Sequence, residues 1–420
     1  MINNLLIISL DALNAKDLSY LRTLTNFKYF MEQGSYIKSV ESIYPSLTYC
    51  CHTSIITGTY PYRHGIYHNE IANPKDPLRQ VWHWHKKSIQ VPTLFDAAKR
   101  KRLKTASVLW PVMANAKSAI DYNIPEIWSD HGKSMFSLYL KNGSMSMLPL
   151  VLKHRHLLNG KSQPQLDDFI EATSTDIIVQ KKPHLMGIHF TELDSTRHVH
   201  GVFSDEAYHV LDKMDQRLGR LIEALKSAGL YNTTNIVLLG DHGGNDFSHV
   251  IFLNTLFKKE GLSNDVYANS AGGSVQIQLK NPTNTTLYSR VQQVLSDFVE
   301  MNNSPIKHFF TREEIIASHH LDGPYSFILE AKDGYIFRNH TLNQIVVPRE
   351  QLPNCYRSDH GFLPEHENLK TLFLAMGPDI RSGAVLDHAH LVDEAPTFAK
   401  LLKVALPDVD GRVLDELLIK

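Results

Sequence analysis

Four segments of the chain place Asp or His beside a short apolar run. Asp11 follows Leu5 to Leu10; Thr191-Glu192-Leu193-Asp194 follows Leu185 to Phe190, with His198 four residues further on; Gly240-Asp241-His242-Gly243-Gly244 follows Ile236 to Leu239. Asp359-His360-Gly361 lies ahead of the run that begins at Thr371. A lone Asp after a strand is ordinarily a helix cap. Several such ends together offer hard oxygen and imidazole ligands without thiolate, a set that suits zinc or manganese. Histidine is also abundant, 23 of 420 residues, so imidazole ligands and bases are expected among them.

A hydroxyl of a different kind sits in Tyr44-Pro45-Ser46-Leu47-Thr48, which reads as a loop entering a short helix that ends at Gly58. Thr48 at that helix N-terminus would meet free N–H groups and the positive end of the macrodipole, which favour an alkoxide and a bound phosphate. Taken alone, Thr48 is an ordinary threonine N-cap.

The elements that must carry these residues are legible in outline. Leu5 to Leu10, Ala106 to Leu109, Leu185 to Phe190, Ile236 to Leu239 and Thr371 to Ala375 are short, wholly apolar runs bounded by turn or polar residues. Alternating with helical patterns, they predict an α/β fold with a mostly parallel central sheet and helices on both faces. In such sheets ligands bind beyond the carboxyl ends of the strands, where the carboxylates above would stand. Leu211, Met214, Leu218, Leu221, Ile222 and Leu225 form one stripe of a helix that starts near Ser204 and stops at Gly229. A second helix is expected from Ala395 to Val404, with Pro396 in its first turn. Tyr325 to Phe337, rich in aromatic and β-branched residues around Asp333-Gly334, predicts a β-hairpin. The pattern becomes irregular at about 112–170 and 255–355, so insertions forming a cap or side lobe are expected there, on a single domain spanning 1–420.

Composition narrows the partners. With 43 Lys+Arg against 44 Asp+Glu the net charge is -1, which gives no electrostatic footprint for nucleic acid or an anionic membrane. No stretch approaches the ~18 apolar residues of a membrane span. Three cysteines cannot build a disulfide framework, and the N-terminal apolar run is short and lacks a basic flank. A cytoplasmic protein with a small-molecule partner is the expectation.

The motifs together resemble the alkaline phosphatase superfamily, and within it the nucleotide pyrophosphatase/phosphodiesterase family. The matching pieces are Asp11, the Tyr-Pro-Ser-x-Thr segment with His52, Thr57-Gly58-x-Tyr60-Pro61-x-x-His64-Gly65-Ile66-x-His68-Asn69, the Asp194-x-x-x-His198 pair, Asp241-His242-Gly243 and Asp359-His360-Gly361. Asp393-Glu394-Ala395-Pro396-Thr397 and Asp410-Gly411-Arg412 also fit, so the resemblance covers almost the whole chain in order. It implies two divalent metal ions, zinc first and manganese or iron as alternatives. Asp11, Asp241 and His242 would hold one together with the Thr48 oxygen; Asp194, His198 and His360 would hold the other. Thr48 would be the nucleophile, passing through a phospho-threonine intermediate, and Asn69 would donate to a phosphoryl oxygen, as would backbone N–H groups after Thr48. The activity implied is hydrolysis of phosphodiester or pyrophosphate bonds. A phosphonoacetate-type hydrolase, a phosphomonoesterase and, further off, a cofactor-independent phosphomutase are alternatives. Substrates would be phosphodiesters, nucleotides or phosphonates, with neither a nucleic-acid duplex nor a membrane.

Cys50-Cys51 departs from the family's usual Pro-Asn before the histidine matched to His52, and both are read as inert helix residues. A monoesterase needs an additional cation near Thr48, for which Arg63 and Arg197 are candidates, each otherwise a solvated arginine. Trp82-His83-Trp84-His85 is read as a packed edge, or alternatively as a stacking surface for a base. Asp246 and His249 are expected close behind the Asp241-His242 turn.

Overall fold

The five apolar runs all become strands of one sheet in the computed structural model, which describes residues 2–71, 73, 81–128 and 135–419. Among the described residues the central sheet has nine strands. Asn4–Leu10 lies in the middle, flanked by Leu185–Phe190 and Thr234–Leu239; Thr105–Val108 and Tyr122–Ile124 continue one side, and Thr371–Met376 and Ser35–Glu41 the other. The block from Thr234–Leu239 to Tyr122–Ile124 is parallel, whereas Thr371–Met376 runs antiparallel to both its neighbours. The two short strands Val385–Leu386 and Ala389–His390 close the edge at Ser35–Glu41.

Strand periodicity explains why both faces are apolar. Leu5, Ile7, Val237 and Leu239 pack on one side, with Ile55 and Ile56 of the helix Thr48–Thr57 and Phe398 of the helix Glu394–Leu401. Leu6, Ile8, Leu10, Ile236 and Leu238 pack on the other, against the helices Gln165–Lys181 and Asp205–Ser227. Each fully buried Leu or Ile stabilises by about 1.5–3 kcal/mol, so these two layers carry the fold. The stripe from Leu211 to Leu225 lies on Asp205–Ser227, and the Ser204 side chain accepts from the Ala207 N–H as its N-cap.

Register brings the strand ends together. Leu10 stands opposite Phe190 and Ser9 opposite Leu239, so Asp11, Thr191 and Gly240 leave the sheet side by side at its carboxyl edge.

Residues 245–348 build two smaller sheets. Val266–Ser270, Ser274–Leu279, Phe327–Ala331 and Ile306–Thr311 form an antiparallel sheet that shares a core with Val291, Leu295 and Phe298 of the helix Thr285–Glu300. Asn245–Ile251 centres the other, between Gly334–Phe337 and Val346–Pro348, and also pairs with Ser358–Asp359. The hairpin expected over Tyr325 to Phe337 does not form. Asp333-Gly334 does turn the chain, with Gly334 at φ 84°, but both edges of Phe327–Ala331 are taken by Ile306–Thr311 and Ser274–Leu279. Gly334–Phe337 instead pairs in parallel with Asn245–Ile251. No helix among the described residues is long and apolar enough to cross a membrane.

Candidate metal centre and cleft

Thr48 is the first residue of its helix, and its N-cap is Leu47, which offers no side-chain cap. The hydroxyl is therefore not spent on capping. Its Oγ1 lies 3.3 Å from His242 Nε2. The Tyr49 N–H donates to Asn69 Oδ1 at 3.0 Å, which engages the first backbone donor after Thr48 and leaves the Asn69 amide nitrogen as its free donor.

Three histidines share one design. Nδ1 of His198 donates to the Ser358 carbonyl at 2.8 Å, Nδ1 of His242 to the Gly243 carbonyl at 3.0 Å, and Nδ1 of His360 to the Ser46 carbonyl at 3.0 Å. A carbonyl only accepts, so the proton is assigned to Nδ1 and each Nε2 presents a lone pair, the arrangement that backbone carbonyls impose on metal-ligating imidazoles. His242 Nε2 faces Asp241 Oδ2 at 3.2 Å and Asp11 Oδ1 at 3.4 Å. Asp194 Oδ2 stands 3.3 Å from His198 Nε2, and its Oδ1 stands 3.9 Å from His360 Nε2. Two groups of candidate metal ligands result: Asp194, His198 and His360, and Asp11, Asp194 and His242, with Asp194 reaching both. Asp241 Oδ2 and Asp11 Oδ1 are buried without a hydrogen-bond partner. Orphaned carboxylate oxygens beside imidazole lone pairs fit divalent cations, which would satisfy both at once.

The electrostatics agree. Burial, then the charge of Asp241, pushes Asp11 up to about 7, and burial likewise pushes Asp241 up to about 7. Burial lowers His360 to about 3, with His242 adding to it. Burial opposes charge on His198, but Asp194 outweighs it and holds this imidazole at about 10, so its Nε2 presents a lone pair only when a cation displaces that proton.

Neighbouring residues fix this geometry. Ser46 accepts from His360, and its hydroxyl takes the Gly361 N–H at 3.0 Å while donating to the Phe362 carbonyl, so the Thr48 loop and the His360 loop are stitched together. His52 lies beneath Thr48, donating from Nδ1 to the Thr48 carbonyl at 2.9 Å and accepting from Ser9 Oγ at 2.8 Å. Cys50 and Cys51 are wholly buried, and burial raises both thiols, in keeping with inert packing.

Sequence reading missed His189 and Glu126. His189 Nε2 meets Asp11 Oδ2 at 3.1 Å, its Nδ1 meets Glu126 Oε2 at 3.2 Å, and the Tyr49 hydroxyl donates to Glu126 Oε1 at 2.9 Å. Burial opposes a charge on His189, yet the two carboxylates hold it well above its ordinary value. The chain Tyr49, Glu126, His189 pins one oxygen of Asp11 and turns the other toward His242. Glu126 lies two residues beyond Tyr122–Ile124, so it obeys the same strand-end rule as the carboxylates that were found.

Arg197 is a correction. Rather than a solvated arginine it is buried, holding both oxygens of Asp17 at 2.7 Å and donating to the Ala12 carbonyl, because the turn after the first strand needs a buried counter-charge. Arg63 pairs with Asp410 at 2.7 Å. Neither is free to meet a phosphate. Asp246 instead accepts from the Val202 N–H, and His249 stacks on Tyr335, so neither stands behind Asp241 as expected.

All of this opens on a cleft of about 760 Å³ lined by Thr48, Asn69, Asp11, Asp194 and His198. Trp82 and Trp84 line it too. They stack on one another with centroids 5.4 Å apart, and Tyr49 packs edge-on against both. Arg338 also lines the cleft, held by Asp359 at 2.6 Å.

The sequence pattern of the type I phosphodiesterase / nucleotide pyrophosphatase family matches residues 5–375, and the chain belongs to that family. Rat ectonucleotide pyrophosphatase/phosphodiesterase family member 1 is 25% identical over 374 residues, covering 84% of this chain and 35% of that protein. Venom phosphodiesterase 2 of Crotalus adamanteus is 26% identical over 232 residues, 51% of this chain and 23% of that protein. The chain thus spans about a third of the length of the first of these and less of the second. The solved structure of murine ectonucleotide pyrophosphatase/phosphodiesterase 5, an inactive variant in complex with AMP, shares the fold with a TM-score of 0.74 at 19% identity, covering 99% of this chain and 100% of that one.

Proposed function

We propose that the chain hydrolyses phosphodiester or pyrophosphate bonds of small substrates with Thr48 as nucleophile. The observation that carries this is the Thr48 hydroxyl, not used as a cap at a helix N-terminus and hydrogen-bonded at 3.3 Å to Nε2 of the anchored His242 imidazole, at the edge of a set of orphaned carboxylates. Asp11, Asp241 and His242, with Thr48, would hold one divalent ion, and Asp194, His198 and His360 the other, zinc being the first choice. When bound, the ions supply positive charge that lowers the Thr48 pKa and offsets charge on the phosphoryl oxygens.

Thr48 Oγ1 gives up its proton and attacks phosphorus, the bond to the leaving oxygen breaks and the leaving group departs, and the phospho-threonine, which still carries the second substituent, is then cleaved by water to release the monoester and restore the hydroxyl. Asn69, its Oδ1 held by the Tyr49 N–H, presents its amide donor to a nonbridging oxygen. The helix Thr48–Thr57 directs its positive end at the same group. Trp82, Trp84 and Tyr49 offer a planar substituent, such as a base, a face or an edge to stack on. A diester is favoured over a monoester because the arginines near the site, Arg197 and Arg338, are committed to Asp17 and Asp359.

The test compares kcat/KM for bis-p-nitrophenyl phosphate and p-nitrophenyl phosphate on zinc-loaded protein. A ratio well above one is expected, with Thr48→Ala reducing diester turnover by about a thousandfold or more and abolishing the p-nitrophenylphospho-threonine seen by mass spectrometry after rapid quench of the diester reaction. Preference for the monoester, or full activity in Thr48→Ala, would overturn the reading.

A further inference from the structure

The side lobe buries a carboxyl that the proposed chemistry leaves unused. Glu330 stands in Phe327–Ala331, 2% exposed, and both its oxygens are bonded to neutral groups. Oε1 accepts from the Leu363 N–H at 2.8 Å, and Oε2 meets the Tyr44 hydroxyl at 3.1 Å. Burial pushes the carboxyl well above the usual carboxylate range. Taking such a group out of water costs free energy that its hydrogen bonds must offset, so its role lies in what those bonds hold.

They hold the two loops that meet at the centre. Tyr44 precedes Thr48 by four residues, and Leu363 follows His360 by three. Ser274 stands directly opposite Glu330 on the neighbouring strand and donates to the Gly361 carbonyl at 2.7 Å, while also bonding the Tyr44 hydroxyl. The Tyr44 ring packs with Leu363 and with Ile328, two residues before Glu330 on the same strand. Ser46 ties the Thr48 loop to the His360 loop at one residue, and a tie at one residue leaves two loops free to pivot about it. Glu330 and Ser274 supply a second tie, from a sheet that belongs to neither loop.

We propose that Glu330 is a positioning residue, through which the side lobe fixes the Thr48 loop against the His360 loop and so sets the distance between the attacking hydroxyl and the group formed by Asp194, His198 and His360. The inference deepens the proposed function and rests on it. Misplacing reacting groups by about 1 Å costs up to about a hundredfold in rate. The outer hydrogen bonds that support a ligating histidine are worth about tenfold to a hundredfold in metal affinity. A residue that only filled space would lend stability and neither of these.

The experiment measures three quantities on Glu330→Leu and Glu330→Gln: kcat and KM for bis-p-nitrophenyl phosphate on zinc-loaded protein, zinc affinity by calorimetry on chelated protein, and the urea midpoint. Glu330→Leu fills the space and removes both bonds. Its kcat is expected to fall about tenfold to a hundredfold with KM within about twofold of wild type, and one of its two zinc equivalents to weaken by about tenfold. In a His198→Ala background, where the remaining equivalent belongs to the other ligand group, Glu330→Leu should change zinc affinity by less than about twofold. Glu330→Gln offers an acceptor to Leu363 and a donor to Tyr44, so it should regain kcat and zinc affinity to within about threefold. A Leu variant with a lowered urea midpoint but wild-type kcat and zinc affinity overturns the inference, as does a Gln variant no better than Leu. If Glu330→Leu does not fold, Tyr44→Phe decides, because it keeps the ring and removes only the bond to the Thr48 loop: a kcat lower by about threefold or more at constant KM upholds the inference and an unchanged kcat overturns it. If the wild type hydrolyses no diester, the catalytic reading falls and the zinc titrations decide alone: one equivalent weakened in Glu330→Leu, or in Tyr44→Phe if the former does not fold, upholds the positioning of His360, and two unchanged equivalents overturn it.

Discussion

Asp194 is the carboxylate on which the two ligand groups meet, one oxygen 3.3 Å from His198 and the other 3.9 Å from His360, while it also falls within reach of Asp11 and His242. Its removal is therefore expected to do more than removal of a peripheral ligand. Zinc titrated into chelated protein should bind two equivalents; His198→Ala should keep one, and Asp194→Ala should keep neither at micromolar zinc. Two tight equivalents in Asp194→Ala would contradict the shared geometry. Asp11 and Asp241 make a second prediction. Both are pushed up to about 7 by burial, with mutual repulsion acting on Asp11, against about 4 in an unfolded chain. Between those values the metal-free folded state holds more protons than the unfolded one, so the stability this pair contributes is fully present below about pH 4 and is lost as pH rises through about 7. Chelated Asp241→Asn should accordingly melt a few degrees above chelated wild type at pH 8 but not at pH 5, while losing zinc affinity. A variant no more stable at pH 8 than at pH 5, each relative to wild type, would refute the linkage. Asp11, Asp194 and Asp241-His242 were legible because each follows an apolar run closely, which is a local signal. His189 was not, because it lies inside such a run, and only the fold sets Glu126 and Asp11 on either side of it.

Elements act on the site chiefly through their ends. The loop after Ser358–Asp359 carries His360 into place by crossing close to the chain at Ala271 and by binding Ser46. Gly361 is what allows it: φ is 81°, and an added Cβ would meet the Ala271 carbonyl oxygen at 1.6 Å. Gly361→Ala is expected to cost about 2 kcal/mol or more, from left-handed strain together with the clash, read as a lower urea midpoint. It should also weaken zinc binding, because the loop that must shift is the one that holds His360. Wild-type stability in that variant would show that the loop has slack which the distances do not suggest. Strand pairing shows where sequence ceases to inform. Asp333-Gly334 is a turn by its local chemistry and does turn the chain, yet the partner of Gly334–Phe337 depends on which sheet edge is vacant, and that is decided by strands elsewhere in the sequence. Arg197 illustrates the same boundary, since nothing beside it in sequence announces Asp17.

At the scale of the whole molecule, the centre is stitched from five chain segments, at Asp11, Thr48, Asp194 to His198, Asp241-His242 and His360; parallel register aligns the strand ends before Asp11, Asp194 and Asp241, and hydrogen bonds to Ser46 join the His360 loop to the Thr48 loop. A cation held by these segments binds the folded state and has nothing comparable to bind in the unfolded one, so metal occupancy and global stability are coupled. With zinc free at a hundredfold above its dissociation constant, each site adds about 2.7 kcal/mol and two add about 5. For a chain of 420 residues, with an unfolding entropy of about 2 cal/mol/K per residue, that is a rise in Tm of about 6 °C. Scanning calorimetry with and without chelator should therefore show one transition displaced as a unit, because most of the ligands follow strands at the centre of the sheet and His360, which follows a strand of a smaller sheet, is bound to the same centre through Ser46. A low-temperature shoulder that moves with zinc while the main transition stays put would place the metal segments in a region that unfolds on its own, and would break the link between the sheet and the site. Thr48→Ala leaves both sets of side-chain nitrogens and carboxylates intact, so under the proposed function it should retain most of the zinc-induced shift while losing turnover, and a variant that loses the shift as well would make the Thr48 oxygen a principal ligand.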